Sequence, residues 1–456
     1  MTRPSIFDGI SLERIAIAEV LGALSHALDL TEGQPPGHCL RACDIGMRIA
    51  ARAGVSGDAA ADLFYALLLK DLGCSSNAAR ICELYLADDQ AFKRGFKTMG
   101  ASTRAALAFV LRHTGADQSL AKRIRAVTHV LTDREAILTD IFRSRCEAGA
   151  EIATMMGFSP AVAQTIEALD EHWDGSGRPR GLSGRDIPIG ARIALLAQVV
   201  DVFGLAHGAA AARDEVAGRS GTWFDPDLAR LASDVIDDDI WAEGANLEVR
   251  AMAHAPAQDA WLMDEDILDE VVAGFARVID AKSPFTYGHS ARVALYTDLI
   301  CARLDVSDRA RRWMRRAALL HDIGKLGISN RLLDKPERLT DDEFDTIRTH
   351  PALGRDVLSH IDIFAPLARV AAAHHERLDG AGYPAGLPGR DLSWEMRVIS
   401  VADVFDALSA DRPYRAALPL AEVWGIMDKM GGVALDEAYL TILKDAVAAT
   451  PELRFA

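Results

Sequence analysis

The sequence lacks long uninterrupted apolar runs, both along the chain and in its first residues. No continuous apolar run reaches the roughly 18 residues that a transmembrane helix needs. The most apolar stretch, residues 187–212, is interrupted by Arg192, Asp201 and His207. The first nine residues, MTRPSIFDG, have no apolar core of the kind found in signal peptides. We therefore expect a cytoplasmic protein that neither spans nor lies in a membrane.

The chain has fewer basic than acidic residues and no closely paired cysteines. The chain has 50 Lys and Arg against 66 Asp and Glu, a formal net charge of -16. This charge argues against a nucleic-acid partner, which would need a concentrated basic face. The six cysteines form no CxxC pair, so we expect reduced thiols. A small anionic substrate is still compatible with the charge, because metal ions and local cations can neutralise it.

The length favours two domains. A chain of 456 residues, half of them hydrophobic, is longer than a single core usually holds. Residues 244–264 mix small residues with a proline and show no strong apolar period, which is typical of a linker. We predict a first domain at residues 1–243 and a second at residues 265–456.

The second half contains an ordered set of metal-ligand side chains. The run HDIGK at residues 321–325 is followed by His350, the pair His374 and His375, and Asp403. Hydrolysis of a phosphodiester needs cations that bind the non-bridging oxygens and activate water, and imidazole and carboxylate are suitable ligands. Each residue alone could instead be an ordinary polar contact or a surface side chain. Together they favour a two-metal phosphodiester hydrolase.

The first two of these residues fall at a predicted helix end. The segment from Arg311 to Leu320 has the apolar period of a helix, with Ser307 and Asp308 as cap candidates. His321 and Asp322 follow its last residue directly. The sequence therefore predicts that both side chains leave the same helix terminus.

The later residues are also placed by local signals. Thr340 and Glu343 form a capping-box pattern, which predicts a second helix that ends at His350 before Pro351. Asp403 lies in an apolar run, where a buried carboxylate is expensive unless a partner or a metal neutralises it. Asp403 is therefore a strong ligand candidate.

Taken in order, HDIGK, THP, HHERLDGAGYPAGL, VADVFDAL and DRPYR resemble the HD-GYP family of bacterial phosphodiesterases over residues 265–443. The resemblance implies an all-α, HD-type fold, a cofactor of two divalent metal ions, iron or manganese, and hydrolysis of cyclic di-GMP to pGpG or GMP. It implies that Asp322 bridges the two ions and that Lys325 contacts the scissile phosphate. The implied metal ligands are His321, Asp322, His350, His374, His375 and Asp403. The implied substrate-binding residues are His289, Lys325, Arg377, Asp379, Gly380 and Tyr383, and we add Arg412 and Arg415 as nearby cations.

The sequence departs from the family pattern at two places. Some members hold a third metal with an acidic residue four positions before the histidine that matches His289, but this chain has Phe285 there. We therefore favour two metals. The usual Phe-Asp-Pro near the C-terminus is replaced by Leu435-Asp436-Glu437, which we expect to affect only a helix start.

The same pattern occurs in the first half in a degenerate form. Gly37-His38-Cys39 aligns with Gly288-His289-Ser290, and a lysine and an arginine replace two imidazoles. Positive charge at those positions disfavours a metal site, so we expect no catalytic metal centre in the first half. The predicted fold is all-α, with two tandem HD-type helical domains. The replacements are Lys70 for His321, Cys74 for Lys325, Arg145 for His350, Leu169 for His374, Asp170 for His375 and Gln198 for Asp403.

The first half also carries an insertion. The chain has 70 residues between Cys74 and Arg145 but 24 between Lys325 and His350, so the first half is 46 residues longer within 75–144. Residues 103–112 and 120–131 have helical patterns. The insertion is interpreted either as a helical cover over the degenerate cleft or as a separate binding module.

Three functions follow from the sequence. The leading one is a cyclic di-GMP phosphodiesterase with a regulatory or dimer-forming first domain. The alternatives are a general HD-type nucleotidase and an inactive signalling adaptor that binds a nucleotide or a protein partner. The sequence leaves open the metal, the cyclic dinucleotide, a homodimer and a signalling-protein partner.

Overall fold

The regular structure of this protein is helical. A computed structural model describes residues 3–12, 15–99, 103–242, 246–256, 263–413 and 415–450. Within these ranges the β pairings are isolated single-residue bridges, such as Ser220 with Phe224 and Gly431 with Leu435. The predicted all-α fold is confirmed. The first helices are α1 (Ile17–Thr31), α2 (His38–Arg52), α3 (Asp58–Leu69), α4 (Ala78–Tyr85), α5 (Asp89–Lys97), α6 (Thr103–His113), α7 (Leu120–Thr132), α8 (Arg134–Met155), α9 (Pro160–Glu167), α10 (Ile189–His207), α11 (Ala209–Arg219), α12 (Pro226–Ser233) and α13 (Leu247–Met252). The later helices are α14 (Glu265–Asp280), α15 (His289–Cys301), α16 (Asp308–Leu320), α17 (Asn330–Leu333), α18 (Asp341–Ile347), α19 (His350–Leu358), α20 (Ala365–Ala373), α21 (Trp394–Ser409), α22 (Leu420–Met430) and α23 (Glu437–Ala449).

The chain forms two compact units whose bounds differ from the predicted domains. The first unit comprises Arg14–Glu270 with Ser329–Arg331. The second unit comprises Met1–Glu13, Val271–Ile328 and Leu332–Ala456. The N-terminal residues join the second unit because Phe7 stacks on Trp313, with ring centroids 6.0 Å apart. In addition, Ser5 Oγ donates to Glu395 at 2.9 Å. These contacts link residues far apart in sequence, which local patterns do not predict.

The predicted linker contains a packed helix. Within residues 244–264, positions 244–245 and 257–262 lie outside the described residues. The described part includes α13, which packs against α1 and α2. Its Leu247 and Met252 side chains lie beside Gly37 and Gly22, where the missing Cβ atoms leave room. This part of the predicted linker is therefore an ordered part of the first unit.

The internal repeat is visible in helices that begin at matched positions of the two halves. Helices α2 and α15 begin at His38 and His289, and α10 and α21 begin 205 residues apart, at Ile189 and Trp394. Each half also has a parallel bridge just before its last matched helix, where Asp225 or Asp436 caps α12 or α23. Asp436 thus acts at a helix start, as predicted.

The insertion folds into helices with a small core of their own. Helices α6 and α7 confirm the two predicted helical stretches within a residue at their ends. An apolar cluster joins α4, α5, α6, α7 and α8. Its buried members are Ile81, Leu84, Tyr85, Phe92, Phe109, Val130, Ile137 and Ile141.

Helix α10 is the most apolar element. In the described part of the chain it is the one helix long and apolar enough to cross a membrane by length and composition. However, 78% of its apolar window is buried inside the protein. Its apolar character is that of a core helix, because side chains from several helices surround it.

The predicted helix caps are confirmed in the second half, with one correction. Ser307 caps α16 by accepting from the Ala310 backbone N–H at 3.1 Å, and Thr340 completes a capping box at α18. The prediction that His350 ends a helix is wrong, because α18 ends at Ile347 and His350 begins α19. Pro351 is tolerated there because the first turn of a helix needs no backbone N–H donor.

Candidate metal centre

Asp322 lies at the centre of the histidine cluster in the second half. Its Oδ2 atom is 3.2 Å from His289 Nε2 and 3.3 Å from His321 Nε2. Its Oδ1 atom is 3.3 Å from His350 Nε2 and 3.6 Å from His374 Nε2. The two oxygens of one carboxylate therefore face two different pairs of imidazoles, which is the arrangement that a bridging carboxylate requires.

Asp403 and His375 complete the cluster. Asp403 Oδ1 lies 3.5 Å from His289 Nε2 and 3.8 Å from His321 Nε2. Its other oxygen lies 3.9 Å from His375 Nδ1. The fold thus brings together all six predicted metal ligands. His289 also lies in this cluster, within ligand-atom reach of His321 and Asp322, although the sequence predicted it as a substrate-binding residue.

Helix ends aim the imidazoles inward. The Nδ1 atoms of His321, His350 and His374 each lie 2.7 Å from the backbone carbonyl three residues earlier. In each case this carbonyl belongs to the last turn of a helix, where it has no backbone partner. The hydrogen bond fixes the ring and leaves Nε2 free to face the cluster.

Close backbone packing brings His350 to Asp322. A Cβ atom on Gly324 would lie 2.0 Å from the His350 carbonyl oxygen and 2.5 Å from the Gly354 backbone nitrogen. Glycine is required at residue 324 because any side chain would separate the HDIGK turn from α19. Gly73 makes the same approach to Arg145 in the first half.

The donor set fits divalent metal ions. His289 Nε2, His321 Nε2 and Asp322 Oδ1 are buried, and none makes a hydrogen bond of acceptable geometry in the described structure. Buried polar atoms normally have partners, and a metal ion would supply one for these three atoms. Imidazole and carboxylate ligands suit iron and manganese as well as zinc.

The electrostatics of the site also suit a cation. Burial alone would lower the pKa of His321, but the Asp322 and Asp403 carboxylates raise it to about 10. Burial alone would raise the pKa of Asp322, but His321 and Lys325 hold it well below its usual range. Burial lowers the pKa of His374 to about 4, so this ring is a neutral donor at pH 7. Since metal ligands must be unprotonated, metal binding would release the His321 proton.

Asp406 is a site residue that the sequence reasoning missed. Its Oδ2 atom lies 2.7 Å from His289 Nδ1, and Arg292 Nε donates to Oδ1 at 2.6 Å. It follows Asp403 by three positions on α21, so both carboxylates lie on one helix face. That spacing within an apolar run was the signal available in the sequence.

Glu376 organises the Gly-Tyr-Pro loop and was also missed. Its buried carboxylate accepts backbone N–H groups from Ala385 at 2.7 Å and Leu387 at 2.9 Å. Gly382 crosses directly over it, because a Cβ atom there would meet Glu376 Cα at 2.5 Å. The loop therefore wraps around one carboxylate, and Glu171 has the same role in the first half.

Aromatic side chains lie beside the metal ligands. The Tyr383 ring packs on His375, with centroids 4.7 Å apart. The Arg348 guanidinium lies over both Tyr383 and Phe344, at 5.4 Å and 4.6 Å from the ring centroids. Phe344 is 39% exposed, so this group presents an apolar and cationic face to solvent.

The other predicted substrate-binding residues have different surroundings. Lys325 donates to Asp322 and is partly exposed beside the cluster. Arg377 pairs with Asp379 at 2.6 Å on the loop surface, near the turn at Gly380.

Arg412 and Arg415 are bound to backbone carbonyls. Arg415 donates to the carbonyls of Ala407 at 2.7 Å and Leu408 at 3.1 Å, and Arg412 donates to Ala407 at 3.4 Å. These contacts lie at the C-terminal end of α21, where cations favourably meet the helix dipole. The structure therefore shows both guanidinium groups bound at the C-terminal end of α21, and their role in substrate binding stays a prediction.

In the first half, ammonium groups lie where the second half has metal ligands. Lys70 Nζ contacts the Asp71 carboxylate and lies 3.0 Å from His38 Nε2. Lys97, from the insertion, lies 2.6 Å from Glu32 and 3.7 Å from Asp71. Although Glu32, Asp71 and Cys74 lie close enough together to hold a metal, two lysines already neutralise them. These contacts give a physical reason for the prediction that the first half has no metal centre.

The helical fold and the cluster of histidines and aspartates agree with one protein family. A family model described as HD domain matches residues 101–228 and 274–439, which is more than half of the chain. The chain belongs to the HD domain family. The match in both halves agrees with the tandem repeat, and the predicted HD-GYP recognition is confirmed.

Several proteins similar to this chain are named as cyclic dinucleotide phosphodiesterases. The chain is 46% identical over 439 residues to 3'3'-cGAMP-specific phosphodiesterase 3 of Vibrio cholerae serotype O1, covering 96% of this chain and 95% of that protein. It is 39% identical over 150 residues to the cyclic di-GMP phosphodiesterase response regulator RpfG of Xanthomonas campestris, covering 32% of this chain and 40% of that protein. A crystal structure of a cyclic GMP-AMP specific phosphodiesterase of V. cholerae matches 96% of this chain and 99% of its own, with 40% identity and a TM-score of 0.64.

Proposed function

We propose that the chain hydrolyses a cyclic dinucleotide at the cluster around Asp322, with two divalent metal ions, and that 3'3'-cGAMP is its preferred substrate. The observation that carries the proposal is the position of Asp322, whose two oxygens face separate imidazole pairs. Two metals bridged by one carboxylate form the clamp that phosphodiester hydrolysis needs. Iron and manganese are the proposed metals, because the resemblance to the HD-GYP family implies them and the donor set suits both.

The substrate preference rests on the extent of similarity. The 3'3'-cGAMP-specific phosphodiesterase 3 of Vibrio cholerae matches 96% of this chain and so spans both halves, whereas two further relatives with that specificity in their names match 47% and 32%. The relatives named as cyclic di-GMP phosphodiesterases match less of it, such as 32% for RpfG and 41% for the protein of Thermotoga maritima. Cyclic di-GMP, the substrate expected from the sequence, is the second candidate, because several relatives are named as cyclic di-GMP phosphodiesterases.

The proposed ligand sets share Asp322. His289, His321, Asp322 and Asp403 would hold one ion, and Asp322, His350, His374 and His375 would hold the other. Such a pair of ions binds non-bridging phosphate oxygens, lowers the pKa of water and stabilises the leaving oxygen. Under this proposal His289 is a metal ligand, and Asp406 and Arg292 hold its ring in place.

The remaining side chains would position the nucleotide. Lys325 is the partly exposed cation next to Asp322, so its ammonium would move from the carboxylate to a phosphate oxygen. Phe344, Arg348 and Tyr383 would stack on a purine base, since aromatic faces and guanidinium planes are common base platforms. Arg377 and Asp379 would order the loop that carries Tyr383.

The adaptor alternative requires binding without turnover. The complete donor set in the second half argues against it, because seven converging ligand side chains have no purpose in a protein that binds a partner only. A general nucleotidase would leave the Gly-Tyr-Pro loop and its aromatic neighbours unexplained.

The test compares cyclic dinucleotides at equal concentration. Protein purified anaerobically with iron or manganese should hydrolyse 3'3'-cGAMP with a higher kcat/KM than cyclic di-GMP, as measured by product chromatography. A variant with His321→Ala and Asp322→Ala should lose the activity, and the surface variant Asp356→Asn should retain it. Higher kcat/KM for cyclic di-GMP would overturn the preference. Bound metal without turnover of either substrate would overturn the proposed activity.

A further inference from the structure

The first half contains a cavity at its degenerate site. The cavity has a volume of about 390 Å³ and lies between the insertion helices and α10. This volume falls in the range of about 300 to 1,000 Å³ that is typical of small-molecule sites. Leu107 and Leu131 line it and are 44% and 41% exposed, so the cavity opens to solvent on the insertion side.

One wall of the cavity is aromatic. Phe92 packs edge-on against Phe109, with centroids 5.1 Å apart, and stacks with Phe96 at 6.2 Å. Phe142 lies 6.2 Å from Phe96 and also lines the cavity. Leu195 and other α10 side chains continue the apolar surface. A ligand here must therefore offer an apolar body, because polar groups against this wall would lose their hydrogen bonds.

The inner end of the cavity is charged. Lys97 lies 2.6 Å from Glu32 and 3.3 Å from Gln198, and Arg145 pairs with Asp170. Cations exceed carboxylates along the lining, although Asp71 and Glu135, which lie outside it, pair with Lys97 and Arg178 and reduce the excess. Burial lowers the pKa of His172 to about 4, so this ring is neutral. The lining cations are Lys93, Lys97, Arg134, Arg145 and Arg178, and the lining carboxylates are Glu32 and Asp170.

The charged end occupies the positions of the lost metal ligands. Arg145, Asp170 and Gln198 align with His350, His375 and Asp403 of the second half. Fixed cations thus replace the charge that metals would supply, while the insertion adds the aromatic wall. The insertion was interpreted either as a helical cover over the degenerate cleft or as a binding module. Both roles apply here, since the insertion covers the cleft and helps to line the cavity.

We propose that this cavity binds an amphiphilic anion, with its apolar body against the aromatic wall and a single carboxylate or phosphate head near Lys97 and Arg145. The excess of lining cations favours a negative head. The cavity disfavours a cyclic dinucleotide, because its second phosphate would lie against the apolar wall without a charged partner. This site is independent of the proposed phosphodiesterase activity.

The test uses two probes with the same ten-carbon chain and different head groups, anionic decanoate and neutral decanol, with the full-length chain. Isothermal titration calorimetry should show decanoate binding at least about tenfold more tightly than decanol, the effect of one charge-assisted contact. A competition titration with 3'3'-cGAMP should leave decanoate binding unchanged. Equal affinities for the two probes, or displacement of decanoate by the dinucleotide, would overturn the proposal.

A matched pair of variants locates the binding. Ala106 lines the cavity on α6, whereas Ala108 is exposed on the same helix and does not line it. Ala106→Trp should fill the cavity and weaken decanoate binding at least tenfold, and Ala108→Trp should bind like the unmodified chain. Melting temperatures of both variants establish that they are folded. If the folded Ala106→Trp protein binds decanoate normally, the ligand lies elsewhere and the proposal fails.

Discussion

Four imidazoles of the second half, those of His289, His321, His350 and His374, turn Nε2 towards the cluster because each of their Nδ1 atoms already has an acceptor. For three of them the acceptor is a backbone carbonyl at a helix end, but for His289 it is the Asp406 carboxylate. A substitution can remove a side-chain acceptor, whereas it cannot remove a backbone carbonyl. Asp406 therefore offers a direct test of ligand positioning.

Asp406→Asn should weaken metal binding by about 10- to 100-fold, the usual effect of removing a carboxylate that orients a metal-binding histidine. The amide is a poorer acceptor for His289 Nδ1 and a poorer partner for Arg292. Metal affinity is measured by titration of the metal-free protein. Asp201→Asn is the matched control, because Asp201 makes the same contacts with His38 and Arg41 in the first half. If both variants weaken metal binding equally, Asp406 acts through stability alone.

Glu32 should make the first half sensitive to acid. Burial would raise its pKa, but Lys97 and Lys93 lower it to about 2 from an ordinary 4.5. A lowered carboxylate pKa stabilises the fold above pH 4.5, and this contribution is lost as pH falls from 4.5 towards 2. At neutral pH it is on the order of 3 kcal/mol. Glu32→Gln should therefore lower the melting temperature at pH 7 much more than at pH 3, as measured by calorimetry, and the exposed Glu151→Gln should change it at neither.

At the scale of elements, the HDIGK turn and α19 meet through a glycine. The Gly324 backbone packs directly against the His350 backbone. The distance between the ligands Asp322 and His350 therefore depends on this contact. The capping box at Thr340 and the N-cap at Ser307 set where the flanking helices begin. Helix ends thus determine ligand direction, and one backbone contact determines the separation between ligands.

Gly324→Ala should destabilise the protein by about 1 to 3 kcal/mol, the usual cost of overpacking, and should also reduce metal affinity. The added methyl group would push the His350 carbonyl away and move His350 from Asp322. Urea unfolding and metal titration measure the two effects. The control is Gly425→Ala within α22, where nothing lies within 4 Å of the added Cβ. This substitution should stabilise the helix by about 0.5 to 1 kcal/mol.

At the scale of the whole molecule, the two halves share a fold but differ in what balances their buried carboxylates. In the second half Asp322 faces imidazoles. In the first half Asp71 faces the ammonium groups of Lys70 and Lys97. A protonated lysine cannot act as a metal ligand, and its charge repels a cation.

Metal content should therefore depend on one half. We expect about two metal ions per chain, measured by mass spectrometry of protein passed through a desalting column. Asp322→Asn should remove most of them, whereas Asp71→Asn, the same change at the matched position, should leave the content unchanged. Loss of metal in the Asp71 variant at full folding would contradict the assignment to the second half.

Local patterns in the sequence determined much of this protein. Apolar periods and cap residues predicted α16, α18 and the insertion helices, because these features act within one or two turns of chain. The spacing of histidines and aspartates predicted a metal cluster. The resemblance to the HD-GYP family implied an HD-type fold, and the internal repeat predicted that this fold occurs twice. The lost imidazoles of the first half are also visible in the sequence alone.

Only the tertiary structure decided which side chains meet. The roles of Asp406, Glu376 and Lys97 depend on contacts between segments distant in sequence, and no local period encodes these distances. The same is true of Arg412 and Arg415, which lie near the motifs in sequence but bind the end of α21. The N-terminal residues joined the second unit through Phe7 and Trp313 for the same reason, because burial of apolar surface is set by the whole fold.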